Sequence, residues 1–373
     1  LAGIYIHIPF CRQACHYCDF HFSTNLGRVD QMVASIGTEI DLRKDFLKDQ
    51  KLETIYFGGG TPSLLSEKHL EFLLNKIRGN FQLALKEVTL EANPDDLSEE
   101  NLKAWISLGI DRLSLGIQSF DEEVLKFYNR AHSAKEALEA ISRGRNAGFD
   151  KFSIDLIYGF PHSDHSIWKK DLKEALLQDP GHISAYALTV EPKTALGKWA
   201  EKGKFHPAEE DFAAEQFEWL QEQSENAGYM QYEISNFGKL GQFALHNTNY
   251  WRGVPYLGLG PSAHSFDGDK RGANPAHNAS YISILESEKI PYQEEHSTIE
   301  DRANDRIMTG LRTMWGISLS NLVEDYGIDL WQTKSSTIEK LARQGWLNWD
   351  GKTLSLTKRG MLLADSIAAE LFI

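Results

Sequence analysis

All three cysteines of this 373-residue chain lie within eight residues, Cys11-Arg12-Gln13-Ala14-Cys15-His16-Tyr17-Cys18, at the spacing C-x3-C-x2-C. Random placement would give such a group roughly once in a thousand sequences, so it asks for a chemical reason. A disulfide fits poorly, because the count is odd and an intracellular, reducing compartment suits the cysteine usage. Structural zinc ordinarily takes four nitrogen or sulfur ligands. His7, His16 or His21 could complete such a set. An iron–sulfur cluster usually takes four cysteines. Held by three, it keeps one iron open, which makes chemical sense only if an exchangeable ligand occupies that iron.

Other residues suited to chemistry recur at regular intervals. Gly58 to Pro62 reads GGGTP, where glycine lets backbone approach a ligand closely. It is not a phosphate loop, since no G-K-[ST] follows. Glu91 closes the run TLEANP, Gln118 sits in SLGIQSF, Asp155 in SIDLIYGFP and Arg130 in YNRAH. Singly, each is better explained as a cap or a solvated residue. Together, Glu91, Gln118 and Asp155 are polar groups on successive strands, at whose carboxyl ends parallel barrels build their sites, and Arg130 lies in a linking segment.

The elements that must position these groups alternate along the chain. Strands are expected at Gly3 to Ile8, Thr54 to Phe57, Val88 to Glu91, Arg112 to Gly116, Phe152 to Leu156 and Ile183 to Leu188. Helical spacing marks Arg28 to Leu47, Ser66 to Arg78 with Ser66 as N-cap, Glu99 to Leu108, Ala134 to Ala147 and His165 to Leu177. Six such units imply an α/β fold with a parallel sheet, best met by a partial TIM-like (β/α)6 barrel, with a doubly wound open sheet as the alternative. Pro207 to Ala227 reads as a further helix. Residues 228 to 270, rich in Gly, Asn, Tyr and Trp, read as loop-like and functional rather than core. From about Asp301 the pattern becomes helix, strand, an Asp350-Gly351 hairpin turn, strand and helix, a small winged-helix-like unit.

Bulk properties narrow the partners. The net charge of −14 argues against nucleic acid, which is bound mainly through basic side chains. The composition, 42% hydrophobic and 25% charged, is that of an ordinary globular protein. No apolar run is long enough to span a bilayer, and no signal-peptide pattern precedes the first strand, so a cytoplasmic location is expected.

The cysteine spacing and its place after the first strand resemble radical S-adenosylmethionine (SAM) proteins. In that superfamily the open iron of a 4Fe–4S cluster chelates SAM, and one electron from the cluster cleaves it to a 5′-deoxyadenosyl radical. The resemblance narrows to the coproporphyrinogen III dehydrogenase group, which has an oxidase branch (HemN type) and a haem-chaperone branch (HemW type). It rests on Tyr5-Ile6-His7-Ile8-Pro9-Phe10-Cys11, Cys15, Cys18, GGGTP, EANP (Glu91 to Pro94), GIQSF (Gly116 to Phe120) and DLIYGFP (Asp155 to Pro161). It implies that Cys11, Cys15 and Cys18 bind the cluster. It also implies that Tyr5, Tyr17, Gly59, Gly60, Thr61, Glu91, Gln118, Arg130 and Asp155 line SAM. Arg130 would face the SAM carboxylate, and Asp155 and Gln118 the ribose hydroxyls.

Two features separate the branches. The oxidase type has a fourth cysteine two residues after the third, where this chain has Phe20. The chaperone type carries H-N-x-x-Y-W, here His246-Asn247-Thr248-Asn249-Tyr250-Trp251. His246 could serve as a haem ligand, while the plainer reading is a histidine hydrogen-bonded within a loop. The resemblance divides the chain into a radical SAM partial barrel (1–230), a connecting segment with the haem motif (231–300) and a winged-helix-like domain of the HemN C-terminal type (301–373). It implies haem, SAM and the cluster as cofactors. Expected partners are haem-acceptor proteins of respiratory type, an electron donor if SAM is cleaved, and a membrane surface met peripherally. The alternatives are an oxygen-independent coproporphyrinogen III oxidase and a zinc-stabilised binding protein without radical chemistry.

Overall fold

A computed structural model describes residues 1–373. Its first six strands are β1 (Ala2–Ile8), β2 (Leu52–Gly59), β3 (Leu83–Ala92), β4 (Arg112–Gln118), β5 (Lys151–Tyr158) and β6 (His182–Ala187). They pair in that order, all parallel, joined by helices. Alternation along each strand explains the layers. Ile4, Ile6 and Ile8 of β1, Ile55 and Phe57 of β2, and Leu113, Leu115 and Ile117 of β4 belong to one apolar core with Ile36, Leu73, Trp105 and Ile141 of the helices. The intervening positions carry Tyr5, His7, Thr54, Tyr56, Glu87, Glu91, Arg112, Ser114 and Asp155, so the other face of the sheet is polar.

The helices start and stop where local chemistry dictates. Ser66 accepts from His69 N to begin Glu67–Asn80. Ser133 and Glu136 form a reciprocal capping box at Ala134–Ala147, and Gly148, at φ 107°, ends that helix. The expected helix from Arg28 is shorter than its periodicity suggested, running from Val29 to Leu42 before a series of turns.

The segment 228–270 departs from expectation. It supplies β7 (Met230–Glu233), β8 (Asn236–Gly238), β9 (Tyr256–Leu259) and β10 (His264–Phe266), and a helix, Leu245–Trp251. With β11 (Arg271–Ala273) and β12 (Gln293–Glu294), these complete a sheet ordered β12-β11-β10-β9-β1-β2-β3-β4-β5-β6-β8-β7. Strand β9 runs parallel to β1, adding a seventh parallel strand. The glycines that read as loop are packing requirements. A Cβ on Gly258 would strike the His264 carbonyl, and one on Gly260, at φ 94°, would strike that of His7.

The C-terminal region forms the expected unit. Leu330–Arg343 leads into Leu347–Trp349, the Asp350-Gly351 turn and Thr353–Leu356, with Ile317–Ser318 as a third short strand. Asp350 Oδ1 accepts from Lys352 N and Thr353 N to close the turn. Its buried residues are continuous with the core of the sheet.

Candidate cluster and cofactor site

Strand β1 ends at Ile8, and the cysteine loop leaves it over the carboxyl ends of the neighbouring strands. Cys11 N donates to Ser23 O at 3.1 Å and Cys18 N to Cys15 O at 3.3 Å, which folds the loop back on itself. Distant residues hold it. Arg12 pairs with Asp96 at 3.2 Å. Asn129, itself at φ 59°, donates to Ala14 O and accepts from Gln13. His16 bonds the Phe127 carbonyl at 2.7 Å and packs edge-on against Trp199. Tyr17 packs edge-on against Tyr128.

Two side chains reach the sulfurs. Thr61 Oγ1 donates to Cys11 Sγ at 3.4 Å and Arg130 Nη1 to Cys15 Sγ at 3.2 Å. Asn93 joins them, donating to Thr61 Oγ1 at 3.5 Å and accepting from Arg130 Nη2 at 2.7 Å. Burial pushes the Cys11 thiol up and the Cys18 thiol to about 12. Free of metal, these thiols therefore hold their protons, and a metal must displace them. No three His, Cys, Asp or Glu side chains are gathered as for a single metal ion. Ligands of a multi-iron cluster bind separate irons and have no such need. Two of the histidines available to complete a zinc set are engaged elsewhere: His7 Nε2 with His21 O at 2.8 Å, and His21 Nε2 with Asn278 Oδ1 at 2.7 Å.

Beside the loop lies a group of carboxylates and glycines. Glu91 accepts from Tyr56 Oη at 2.7 Å and from Gly59 N at 3.2 Å. Burial raises Glu91 to about 7, against the opposing pull of the Tyr56 hydrogen bond, with Asp155 adding to the rise. Asp155, bonded by Ser184 and Ser114, is raised by burial to about 6. A Cβ on Gly58 would meet Tyr56, Glu91 and Tyr5, each under 3 Å. Gly59, at φ 107°, leaves room only for the His7 ring, and Gly60 N donates to Ile8 O. Gln118, held at φ 72°, and Arg130 Nη2 both lie about 3 Å from where a Gly116 Cβ would stand. The Arg130 Nε is buried without a partner. A glycine cradle, two half-buried carboxylates and a guanidinium with a spare donor suit a ligand bearing an ammonium, a carboxylate and hydroxyls, as SAM does.

His246 lies elsewhere. Its helix begins where Glu87 of β3 accepts from both Leu245 N and His246 N at 2.9 Å. The ring is 2% exposed, with Nδ1 bonded to Thr54 Oγ1 at 2.7 Å and Nε2 to Tyr250 Oη at 2.9 Å. Burial drives its basicity down to about 3. Thr54, which holds the ring, sits five residues before Gly59 on β2, about 16 Å of strand. Ligation of iron by His246 requires one of its two hydrogen bonds to be released. Sequence reading missed Asn93, Tyr56 and Thr54. Asn93 stands inside the EANP motif, whereas the other two are ordinary strand residues until the topology is known.

Contacts from Thr61 and Arg130, joined by Asn93, hold Cys11 and Cys15 over the sheet, in a chain of the radical SAM class. The family described as the Radical SAM superfamily matches residues 5–173, and the HemN C-terminal domain matches residues 298–363. Within that class the chain belongs to the HemW family. It is 36% identical to the Bacillus subtilis protein named "Heme chaperone HemW", over 98% of both chains. It is 32% identical to the Lactococcus lactis protein of the same name, covering 97% of this chain and 95% of that one. The solved structure of Escherichia coli coproporphyrinogen III oxidase (HemN) shares the fold with a TM-score of 0.86 at 22% identity, covering 100% of this chain and 90% of that one.

Proposed function

We propose that the chain is a haem chaperone. In this reading it carries a 4Fe–4S cluster on Cys11, Cys15 and Cys18 and binds SAM in the carboxylate pocket. It takes up haem through His246 and passes it to acceptor proteins, respiratory ones first among them. The observation that carries the reading is Phe20. It stands where the oxidase branch has its fourth cysteine, and its ring is 73% exposed beside the cluster loop. Relatives along the full length of the chain are named haem chaperones, which supports the same assignment. No helix is long and apolar enough to cross a membrane, so contact with a membrane-bound acceptor would be peripheral, from a cytoplasmic setting.

When bound, the cluster and SAM supply one-electron chemistry. The chain's own residues bind, orient and exclude water. Arg130 offers its unpartnered Nε–H to a carboxylate. Asp155 and Gln118 suit hydroxyls, and Glu91 suits an ammonium. Tyr5 and Tyr17 close the flanks, and Gly59, Gly60 and Thr61 form the cradle floor. An electron donor is needed if SAM is cleaved.

The test is anaerobic reconstitution with iron and sulfide, followed by haem titration and transfer to an apo-haemoprotein. Stoichiometric haem uptake and transfer are expected, and His246→Ala is expected to lose or spectrally alter the haem while the cluster stays. Conversion of coproporphyrinogen to protoporphyrinogen by the wild type, with normal haem binding by His246→Ala, would overturn the assignment in favour of the oxidase. A colourless, iron-free preparation would favour the zinc-stabilised binding protein. Phe20→Cys is expected to give no oxidase activity, since one thiol does not build a tetrapyrrole pocket.

A further inference from the structure

Between the SAM-facing carboxylate and His246 stands one ring. Tyr56 stacks on the His246 imidazole, with centroids 5.1 Å apart and planes 26° apart. It also stacks on Tyr5, at 6.0 Å and 28°. Its hydroxyl donates to Glu91 Oε1 at 2.7 Å, and Glu91 Oε2 accepts from Gly59 of the glycine cradle. Tyr5, Glu91 and the histidine of the H-N-x-x-Y-W motif thus share a half-buried neighbour on β2.

We propose that Tyr56 is a positioning residue that links the two sites, so that SAM and haem bind with positive energetic coupling. The inference rests on the haem-chaperone reading, in which Glu91 faces SAM and His246 faces haem.

Both ligands must disturb the same clamp. His246 offers a nitrogen to iron only by giving up Thr54 or Tyr250, and its stack on Tyr56 adds to that cost. The Tyr56 ring is held in turn by its bond to Glu91. An ammonium drawing Glu91 toward itself weakens that bond and lets the ring tilt, and the imidazole is then released more easily. The clamp has to be loosened only once, whichever ligand arrives first. Each ligand must therefore tighten the other by the same factor.

The experiment uses the anaerobic, cluster-reconstituted protein. The haem Kd is measured by absorption with and without saturating SAM, and the SAM Kd by calorimetry with and without haem. The wild type should show tightening of about fivefold or more, equal in the two directions. Tyr56→Phe keeps both stacks and removes only the hydroxyl. It should bind each ligand alone, with the coupling factor falling to about one. Tyr56→Leu, which removes the stacks as well, should also be uncoupled, and thermal melts establish that both variants fold. Independent or antagonistic binding in the wild type, or unchanged coupling in Tyr56→Phe, overturns the inference. Loss of either ligand by Tyr56→Phe also overturns it, because Tyr56 would then be a binding residue. If His246→Ala binds haem normally, the reading of His246 itself fails and the coupling fails with it. If His246→Ala loses haem while the wild type shows no coupling, the inference alone fails.

Discussion

Arg130 Nη1 donates to the sulfur of Cys15, 115 positions earlier in the chain, at 3.2 Å. The same guanidinium donates from Nη2 to Asn93 Oδ1 at 2.7 Å and to Gly116 O at 2.5 Å. One half-buried cation therefore fixes the cysteine loop against the ends of β3 and β4. Its charge also lies beside thiolates that carry negative charge once a cluster is bound.

Arg130→Ala is expected to weaken SAM binding by about 1.5–3 kcal/mol, the usual size for a lost charge-assisted hydrogen bond. Arg130→Lys should recover only part of this, because a single ammonium cannot reproduce the fork. The iron–sulfur absorption should persist in both variants, since Arg130 is not a ligand. Calorimetry on the reconstituted proteins is the check, and unchanged SAM affinity would put the carboxylate pocket elsewhere.

Each of Cys11→Ala, Cys15→Ala and Cys18→Ala should abolish the broad iron–sulfur absorption, because the chain has no spare cysteine. Iron and sulfide analysis after anaerobic reconstitution decides this. A triple-alanine variant that still binds both in stoichiometric amounts would refute cluster ligation by this loop.

The legible parts of the fold are those whose local signals agree. Ala134–Ala147, read from helical spacing alone, matches the structure to the residue, where a Ser133–Glu136 capping box and Gly148 close both ends of the amphipathic run. The six parallel strands are visible because their apolar residues face helices that the sequence also displays. Strands β7 to β10 are not, being three or four residues long, so that no period can establish itself. At the site, the resemblance marks Thr61 and Arg130 as cofactor-lining, and in the structure each donates to a cysteine sulfur. The surroundings of His246 are hidden in the sequence. Thr54 and Glu87, which engage it, sit 192 and 159 positions away, and only the sheet brings them together.

Glu87 anchors the haem-motif helix, accepting two successive backbone N–H groups while pairing with Arg112 at 3.6 Å, all in the interior. Glu87→Ala strands a buried guanidinium and two amide donors. A loss of about 3–5 kcal/mol is expected, the usual penalty for breaking a buried pair. Glu87→Gln keeps an acceptor for the helix and should lose less. Urea unfolding of the apo proteins measures both, and equal midpoints for wild type and Glu87→Ala would show that the helix is held by packing alone.

Stability should also depend on pH through Glu91. This carboxyl titrates near 7 in the folded chain, mainly through burial, and near 4.5 when exposed. A carboxyl raised in this way favours the folded state fully below its unfolded value, and that contribution is lost as pH rises through the folded value. A tenfold difference in acidity between the folded and unfolded chain corresponds to about 1.4 kcal/mol, so the wild type should lose about 1–3 kcal/mol from this group between pH 4.5 and 8. Glu91→Gln cannot titrate and should lack that loss. Burial pushes His7 and His132 down to about 4. Their titration tilts stability the opposite way, but it is common to both proteins and cancels in the difference. Urea unfolding of apo wild type and Glu91→Gln at pH 5, 6, 7 and 8 should therefore show the variant gaining on the wild type at each step, most steeply up to 7. A difference that stays flat would mean that Glu91 is ionised throughout. The pocket would then present a fixed negative charge to its ligand rather than one that forms near neutrality.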